Sequence, residues 1–590
     1  MSFHRRATHF DDGKFRAKPA ILVIALVTVD RGPWDTAARG RGTSRSGART
    51  STPHVGIGGN PAYLIKARHG AVATENELCS NVGVDILKAG GNAVDAAVAA
   101  TFCIGTVNMF SSGIGGGGFM TVRIPPAHPN ESSEVITIDF RETAPALANA
   151  TMYPPRSNTS QFGGLSVGVP GEIRGLEEAH RRWGTLPWKT LIEPSVALAD
   201  GWTVQKELDQ RITWFPDLML NNPDWSAVFA PGGTFLREGD VIKRTNLSRT
   251  LATIASEGPD AFYKGPIADS LIRKVRAGGG ILSHADLENY KVKVEHALQG
   301  TYRGRKVYTT HAPGSGPVLL HMLNLIETFP MTARTPLNVH RAVEVLKFGF
   351  AARTKICDPE FNDNPQRIDE ISTKAFADLV AANITDDRTH PPQYYNPEYD
   401  IKTDHGTSHT SVIDKNGMAV SLTSTVNLIF GSQVLDPDTG VILNDEMDDF
   451  STPGTPNGFG LYPSPCGKRP LSSTAPTIIE HTDGSFFASV GGSGGSRIFG
   501  AVFQVLLNLD WGLDASAAVE FARLHNQLYP LAVDADATYP TDVLAGLRVR
   551  GHTITSTPPV AAVVQLVMRD TDGKIYAASD SRKNGIAAGY

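Results

Sequence analysis

The sequence predicts a mixed α/β protein, and three local patterns carry that expectation. A helical hairpin is written between Thr74 and Ile104, a β-hairpin around Asn416-Gly417, and a strand, glycine loop and helix between Ser485 and Leu507. Composition agrees with a folded chain: apolar residues make up 41%, and 55 Lys+Arg stand against 60 Asp+Glu, a formal net charge of −5. That is too apolar for a disordered chain and lacks the basic excess of a nucleic-acid binder. No apolar run approaches the ~20 residues of a membrane-spanning helix, which excludes a multi-pass membrane protein. Glycine is the outlier, at 58 of 590 residues. Its clustering points to tight backbone approaches around a site rather than to flexible linkers.

Residues 1–55 differ from the rest. Arg5, Arg6, Lys14, Arg16 and Lys18 precede an apolar run from Ala20 to Val29, and Arg39 to Thr52 is rich in Arg, Gly, Ser and Thr. A run of about ten apolar residues fits a secretory signal or short anchor followed by a linker; a cytosolic tail is the alternative. Folded sequence is expected from near Val55. Thr74-Glu-Asn-Glu77 reads as a capping box opening a helix through Leu87, which Gly90-Gly91 stops. Asn92 leads a second helix from Ala93 to about Ile104. A short turn makes the pair antiparallel, so Cys79 and Cys103 both fall at its open end. They are read as a disulfide, in keeping with an exported protein, or else as two buried thiols. Cys357 and Cys466 carry no assignment. Asn-x-Ser/Thr acceptors at Asn130, Asn149, Asn158, Asn246 and Asn383 permit glycosylation.

The cluster Gly113-Ile-Gly-Gly-Gly-Gly118 formally satisfies GxGxxG, but the β-prone Phe119–Arg123 follows where a dinucleotide site needs a helix. A turn packing close to a site is the reading. Asn416-Gly417 signals a two-residue hairpin loop, which would place Thr407 opposite Val426 with Thr425 and Asn427 beside it. Taken alone, these hydroxyls are ordinary β-sheet threonines. Gly491-Gly-Ser-Gly-Gly-Ser496 lies between a strand and a helix, the arrangement that offers backbone N–H groups to negative charge, or a purely structural turn.

Taken together, a set of longer motifs is far more specific: Gly91-Asn-Ala-Val-Asp-Ala-Ala, Ser112-Gly-Ile-Gly-Gly-Gly, Arg141-Glu-Thr-Ala-Pro, Val167-Gly-Val-Pro-Gly-Glu, Asn444-Asp-Glu-Met-Asp-Asp-Phe450, Arg469-Pro-Leu-Ser-Ser473 and Asp580-Ser-Arg-Lys-Asn-Gly. In these, from about Ala71 to Tyr590, the chain resembles the gamma-glutamyltransferase family of N-terminal-nucleophile hydrolases. The resemblance implies a four-layer αββα sandwich formed jointly by two subunits. It implies self-cleavage between Gly406 and Thr407, dividing a large subunit (56–406) from a small one (407–590) that remain associated as a heterodimer. Thr407 would be the nucleophile, with its own α-amine as base once it becomes a terminus, and Thr425 would orient the hydroxyl or amine. Gly494 and Gly495 match the oxyanion donors. Arg141, Ser472 and Ser473 match a clamp for the substrate α-carboxylate; Asn427, Glu446 and Asp449 match a site for its α-ammonium. Phe459 falls where some members place an aromatic lid. Glu446 is an acid where some bacterial members carry an amide, so the chain looks eukaryotic-like.

The implied substrates are glutathione and other γ-glutamyl compounds, with water, amino acids or dipeptides as acceptors. No cofactor is implied, and no metal-ligand spacing is visible among the 17 histidines. His409 is read as structural, because the free amine fills the role of base. Two alternatives stand beside this reading: a glutaryl-type acylase of the same superfamily, and an inactive γ-glutamyl-binding homologue.

Overall fold

The structure is a computed structural model that describes residues 54–128, 131–154, 157–362, 364–399, 406–451, 467–557 and 562–590. Residues 1–53, Asn130, Phe459 and Cys466 lie outside the described residues, and with them the signal or anchor and the lid.

Two seven-stranded antiparallel sheets form the centre. The strands used below are β1 (Ile65–Ala67), β2 (Ala71–Ala73), β3 (Gly117–Ile124), β4 (Glu134–Phe140), β5 (Lys293–His296), β6 (Leu298–Tyr302), β7 (Arg305–Thr309), β8 (Ser408–Ile413), β9 (Ala419–Thr425), β10 (Thr477–Glu480), β11 (Phe486–Ser493), β12 (Val563–Arg569), β13 (Ile575–Ser579) and β14 (Ala588–Gly589). The first sheet runs β14-β2-β8-β9-β3-β4-β5 and the second β6-β7-β10-β11-β12-β13-β1. Helices α1 (Glu77–Lys88), α2 (Ala93–Val107) and α3 (Glu172–Trp183) cover the outer face of the first. Helices α4 (Gly316–Glu327), α5 (Pro336–Arg353), α6 (Ile498–Asp510) and α7 (Ala515–Glu520) lie on the far side of the second; α4, α6 and α7 rest on its strands and α5 packs over α4. Strands β8 and β9 pack on β11, giving the four layers in the expected order αββα. Each sheet takes strands from both sides of Gly406–Thr407, so neither side could complete a sheet alone.

The helical hairpin forms with one change at its start. Thr74 does not cap α1: Asn76 does, its side chain accepting from Leu78 N at 3.0 Å. Thr74 instead folds the chain before the helix, its hydroxyl donating to Asn76 O at 2.8 Å. Asn92 and Asp95 form a reciprocal capping box on α2, which runs to Val107, one turn beyond the expected end. Cys79 and Cys103 are joined by a disulfide. No helix among the described residues is long and apolar enough to cross a membrane.

The β8–β9 register differs by one residue from the sequence reading. Ser408 pairs with Ser424 and Ile413 with Ala419. Asp414 is the cause. Its carboxylate accepts from Asn416 N at 2.8 Å and Met418 N at 3.0 Å, and only Gly417 turns left-handed (φ +86°). This makes a longer loop than the two-residue turn, which needs both central residues left-handed. A one-residue slip moves every cross-strand neighbour, and here it brings Thr425, not Val426, level with Thr407.

Candidate active site

The first glycine cluster lets β3 lie flat against β9. A Cβ at Gly116 would sit 2.0 Å from Thr425 O, and one at Gly118 2.0 Å from Thr423 O. Between the sheets the contact is polar and close. Ser421 Oγ donates to Val490 O at 3.0 Å, and a Cβ at Gly491 would strike the His409 ring at 2.2 Å. His409 is fully buried, bonded to Thr423 Oγ1 at 2.8 Å, and burial pushes its ring down to about 3. The ring, held neutral, packs against Gly491 between the two sheets.

Thr407 sits just before β8, buried, with φ +82°. Its nitrogen donates to Ser111 O at 3.1 Å, and its hydroxyl lies 2.9 Å from Thr425 Oγ1. Thr425 Oγ1 also accepts from Asn427 N at 2.8 Å. A β-branched residue in left-handed backbone costs on the order of 1–3 kcal/mol, so the strain falls on Thr407 itself rather than on Gly406. Glycine at 406 is required for space: a Cβ there would lie 1.6 Å from Asn427 O. We expect Gly406→Ala to block or slow self-cleavage at least about tenfold, read as the fraction of uncut chain over time after synthesis.

Lys583 meets the same residue from the C-terminal end. Its Nζ donates to Thr407 O at 3.1 Å, to Ser493 Oγ at 2.9 Å and to Glu75 Oε2 at 3.1 Å. Ser493 ends β11, and Gly494 and Gly495 follow it with φ +121° and +59°. The second glycine loop is thereby tied beside Thr407 in a backbone conformation that favours glycine.

Arg141 follows β4 and is buried. Its Nη1 lies 2.7 Å from Glu446 Oε2 and 3.8 Å from Glu142 Oε2, and its Nη2 lies 2.5 Å from Asp449 Oδ2. Asn427 Nδ2 donates to Asp449 Oδ1 at 3.2 Å. Arg141, expected in the carboxylate clamp, and Glu446, Asp449 and Asn427, expected at the ammonium site, thus lie in one cluster. Ser472 and Ser473 come directly after Leu471, whose carbonyl accepts from Arg141 Nη2 at 3.3 Å. Ser472 Oγ lies 3.0 Å from Thr474 Oγ1, and Ser473 Oγ accepts from Arg353 Nη2 at 2.9 Å.

Burial works against the Arg141 charge, but Glu446, Asp449 and Glu142 outweigh it and hold the guanidinium above its ordinary value. Burial pushes Glu446 well up, with Arg141 opposing, and raises Glu142 to about 8. One guanidinium is shared by more carboxylate than it neutralises.

Sequence reasoning did not single out Glu75, Asn444, Arg353 or Lys583. Asn444 locks the acidic turn, accepting from Gly168 N at 2.9 Å and Glu446 N at 3.0 Å. It and Lys583 lay inside quoted motifs, which was the available signal. Away from Thr407, the described residues bring His340, Glu344 and His552 together, with ligand atoms within 4.8 Å of one another. Lys347 Nζ donates to Glu344 Oε1 at 3.1 Å and Tyr395 OH to Oε2 at 2.6 Å, so a cation and a phenol already serve that carboxylate.

A family model described as gamma-glutamyltranspeptidase matches residues 79–590. Glutathione hydrolase proenzyme 1 of Schizosaccharomyces pombe is 45% identical, over 90% of this chain and 86% of its own. Glutathione hydrolase 3 of Arabidopsis thaliana is 38% identical, over 87% and 82%. Among solved structures, a cephalosporin acylase from Bacillus halodurans superposes with a TM-score of 0.77 at 25% identity, covering 89% of this chain and 97% of its own. The gamma-glutamyltranspeptidase of Helicobacter pylori gives 0.51 at 30% identity, over 55% and 93%. With the family model covering nearly all of the described fold, the chain belongs to the gamma-glutamyltranspeptidase family.

Proposed function

We propose that this chain is a proenzyme that cuts itself between Gly406 and Thr407 and then acts as a glutathione hydrolase and γ-glutamyltransferase. The observation that carries the reading is Thr407, left-handed and hydrogen-bonded to Thr425, together with a buried Arg141 shared among Glu446, Asp449 and Glu142. Relatives named glutathione hydrolase and glutathione hydrolase proenzyme support it.

In the first step Thr407 Oγ1 attacks the Gly406 carbonyl and its proton passes to the Thr407 nitrogen as the Gly406–Thr407 C–N bond breaks. Water then hydrolyses the resulting ester, leaving a carboxylate on Gly406 and a free α-amine and hydroxyl on Thr407. Such an amine titrates near ~7.7–8.0, close to working pH. It then takes the Oγ1 proton as Oγ1 attacks the γ-amide carbonyl of the substrate. The backbone N–H groups of Gly494 and Gly495 stabilise the oxyanion. The amine product leaves with that proton, and a γ-glutamyl ester remains on Thr407. Water, an amino acid or a dipeptide then attacks the ester. Arg141, Ser472 and Ser473 bind the substrate α-carboxylate; Glu446, Asp449 and Asn427 receive the α-ammonium. The subunits, 56–406 and 407–590, would stay together because their strands interleave in both sheets. Export fits the Cys79–Cys103 disulfide. It also fits exposed acceptor asparagines at 149, 158 and 383; Asn246 is half-buried, its amide bonded to Pro437 O.

A second reading rests on the acylase fold match. A glutaryl group lacks the ammonium that Glu446, Asp449 and Asn427 are proposed to receive. We expect γ-glutamyl-p-nitroanilide to be turned over about 10³-fold or more faster, by kcat/KM, than glutaryl-p-nitroanilide, because buried acids left unmatched reject the analogue. Preference for the glutaryl compound would replace our reading with the acylase.

A further inference from the structure

Behind Thr407 lies a buried polar brace that the chemistry above does not use. Glu172 is the first residue of α3 and is fully buried. Its backbone nitrogen donates to Gly116 O at 2.9 Å, as does that of Gly171. Its side chain Oε2 accepts from Ser424 Oγ, which lies 2.6 Å from Ser112 Oγ. Glu172 therefore grips the 112–116 loop at both ends, by backbone and by side chain. The residue before that loop is Ser111. Its carbonyl accepts from Thr407 N at 3.1 Å and from Val426 N at 3.2 Å. Ser424, for its part, precedes Thr425 and pairs across the ladder with Ser408, the neighbour of Thr407. The brace thus adjoins both members of the threonine pair without touching either hydroxyl.

A free amine can take the Thr407 proton only if its lone pair points at Oγ1, so its N–H bonds must be held elsewhere. Ser111 O is an acceptor already aimed at that nitrogen. Displacing a positioned group by about 1 Å costs on the order of 10²-fold in rate. A buried carboxyl is itself expensive unless hydrogen-bonded, so its retention behind a nucleophile calls for a role. We propose that Glu172 is a positioning residue: through Ser112 and Ser424 it fixes the Ser111 carbonyl, and the carbonyl sets the direction of the Thr407 amine. The proposal rests on Thr407 as nucleophile with its own amine as base.

Burial raises the Glu172 carboxyl to about 7, opposed by hydrogen bonds from Ser424, Ser112 and Gly113 N–H. The ionisable groups around it are Glu142, which it raises, and Tyr263; Lys583, on the Thr407 carbonyl, and Glu75 face the nucleophile from the other side. A negative charge behind the amine favours its ammonium form, so removing that charge makes the ammonium more acidic.

The test compares wild type with Glu172→Gln and, as a milder change, Ser112→Ala, using γ-glutamyl-p-nitroanilide and counting competent sites by active-site titration. For Glu172→Gln we expect kcat per titrated site to fall about 10- to 100-fold, with KM within about threefold of wild type. The acid limb of log kcat against pH should move to lower pH. Ser112→Ala should lower kcat in the same direction, and the two changes together should cost less than their sum, because they act through one network. A merely structural Glu172 would reduce the number of titrated sites and leave kcat per site and the pH profile as in wild type, which would overturn the proposal. If Glu172→Gln fails to fold, unaltered kcat in Ser112→Ala does the same. A wild type that cuts itself and turns over the anilide while both variants match it refutes the positioning role alone. A wild type that does neither removes the Thr407 reading as well.

Discussion

Thr407→Ala is expected to leave one uncut chain where the wild type yields two fragments divided at Gly406–Thr407, and to lower turnover of γ-glutamyl-p-nitroanilide by more than about 10⁴-fold. Both losses follow from one oxygen. In the uncut chain the hydroxyl is the proposed attacking group, lying 2.9 Å from Thr425 Oγ1 in a left-handed backbone (φ +82°). In the proposed mechanism the same oxygen then carries the glutamyl group. Alanine keeps the nitrogen bond to Ser111 O and the carbonyl bond from Lys583, since both are made by the main chain. The variant should therefore fold, and its failure to cut isolates the chemistry. Intact mass and the N-terminal residue of the small fragment are the readouts. Cleavage that persists in Thr407→Ala, or a wild type that stays whole while remaining active, would remove Thr407 from the mechanism.

The parts of this site legible in the sequence were those written as contiguous motifs. The Asn444–Asp449 turn, the Arg469–Ser473 run and the second glycine loop each carry more than one candidate site residue within a few positions, so their order along the chain was enough to propose them. The four layers were legible only through the resemblance, because the local patterns gave helices and strands without their partners. What escaped depends on contacts between distant segments. Lys583 reaches Thr407 across 176 positions, and Ser112 reaches Ser424 across 312. No periodicity encodes such meetings. The β8–β9 register failed for a local reason: Asp414 competes for the turn nitrogens, and a side-chain acceptor of this kind outweighs the Asn-Gly preference. At Gly406 the lack of a side chain is what matters, beside Asn427 O, and that neighbour too is set by the fold rather than by spacing. His340 and Glu344 sit one turn apart on α5, but His552 joins them from about 200 residues further along the chain, so no spacing rule links the three.

Arg141→Lys should lower kcat/KM for γ-glutamyl-p-nitroanilide by about 30-fold to a few thousandfold while leaving self-cleavage intact. The guanidinium spreads over four groups at once: Glu446 and Asp449 through Nη1 and Nη2 at 2.7 and 2.5 Å, and the Pro470 and Leu471 carbonyls at 3.3 Å each. A lysine ammonium is a single point on a flexible stem and cannot span that fork. One buried acid would lose its partner, and truncating a buried hydrogen-bonded charge pair costs about 2–5 kcal/mol. The substrate carboxylate would also lose paired recognition, so the loss should fall mainly on KM. Self-cleavage supplies the internal control. Arg141 bonds the acidic turn and the 470–471 backbone, whereas Thr407, where the proposed cut falls, bonds Thr425, Ser111 and Lys583. A variant that divides into two fragments at the wild-type rate has folded, and its kinetic deficit then belongs to substrate recognition. If kcat/KM stays within about threefold of wild type, Arg141 is only a strut for the acidic turn, and the α-carboxylate must be held by Ser472, Ser473 or the backbone around them.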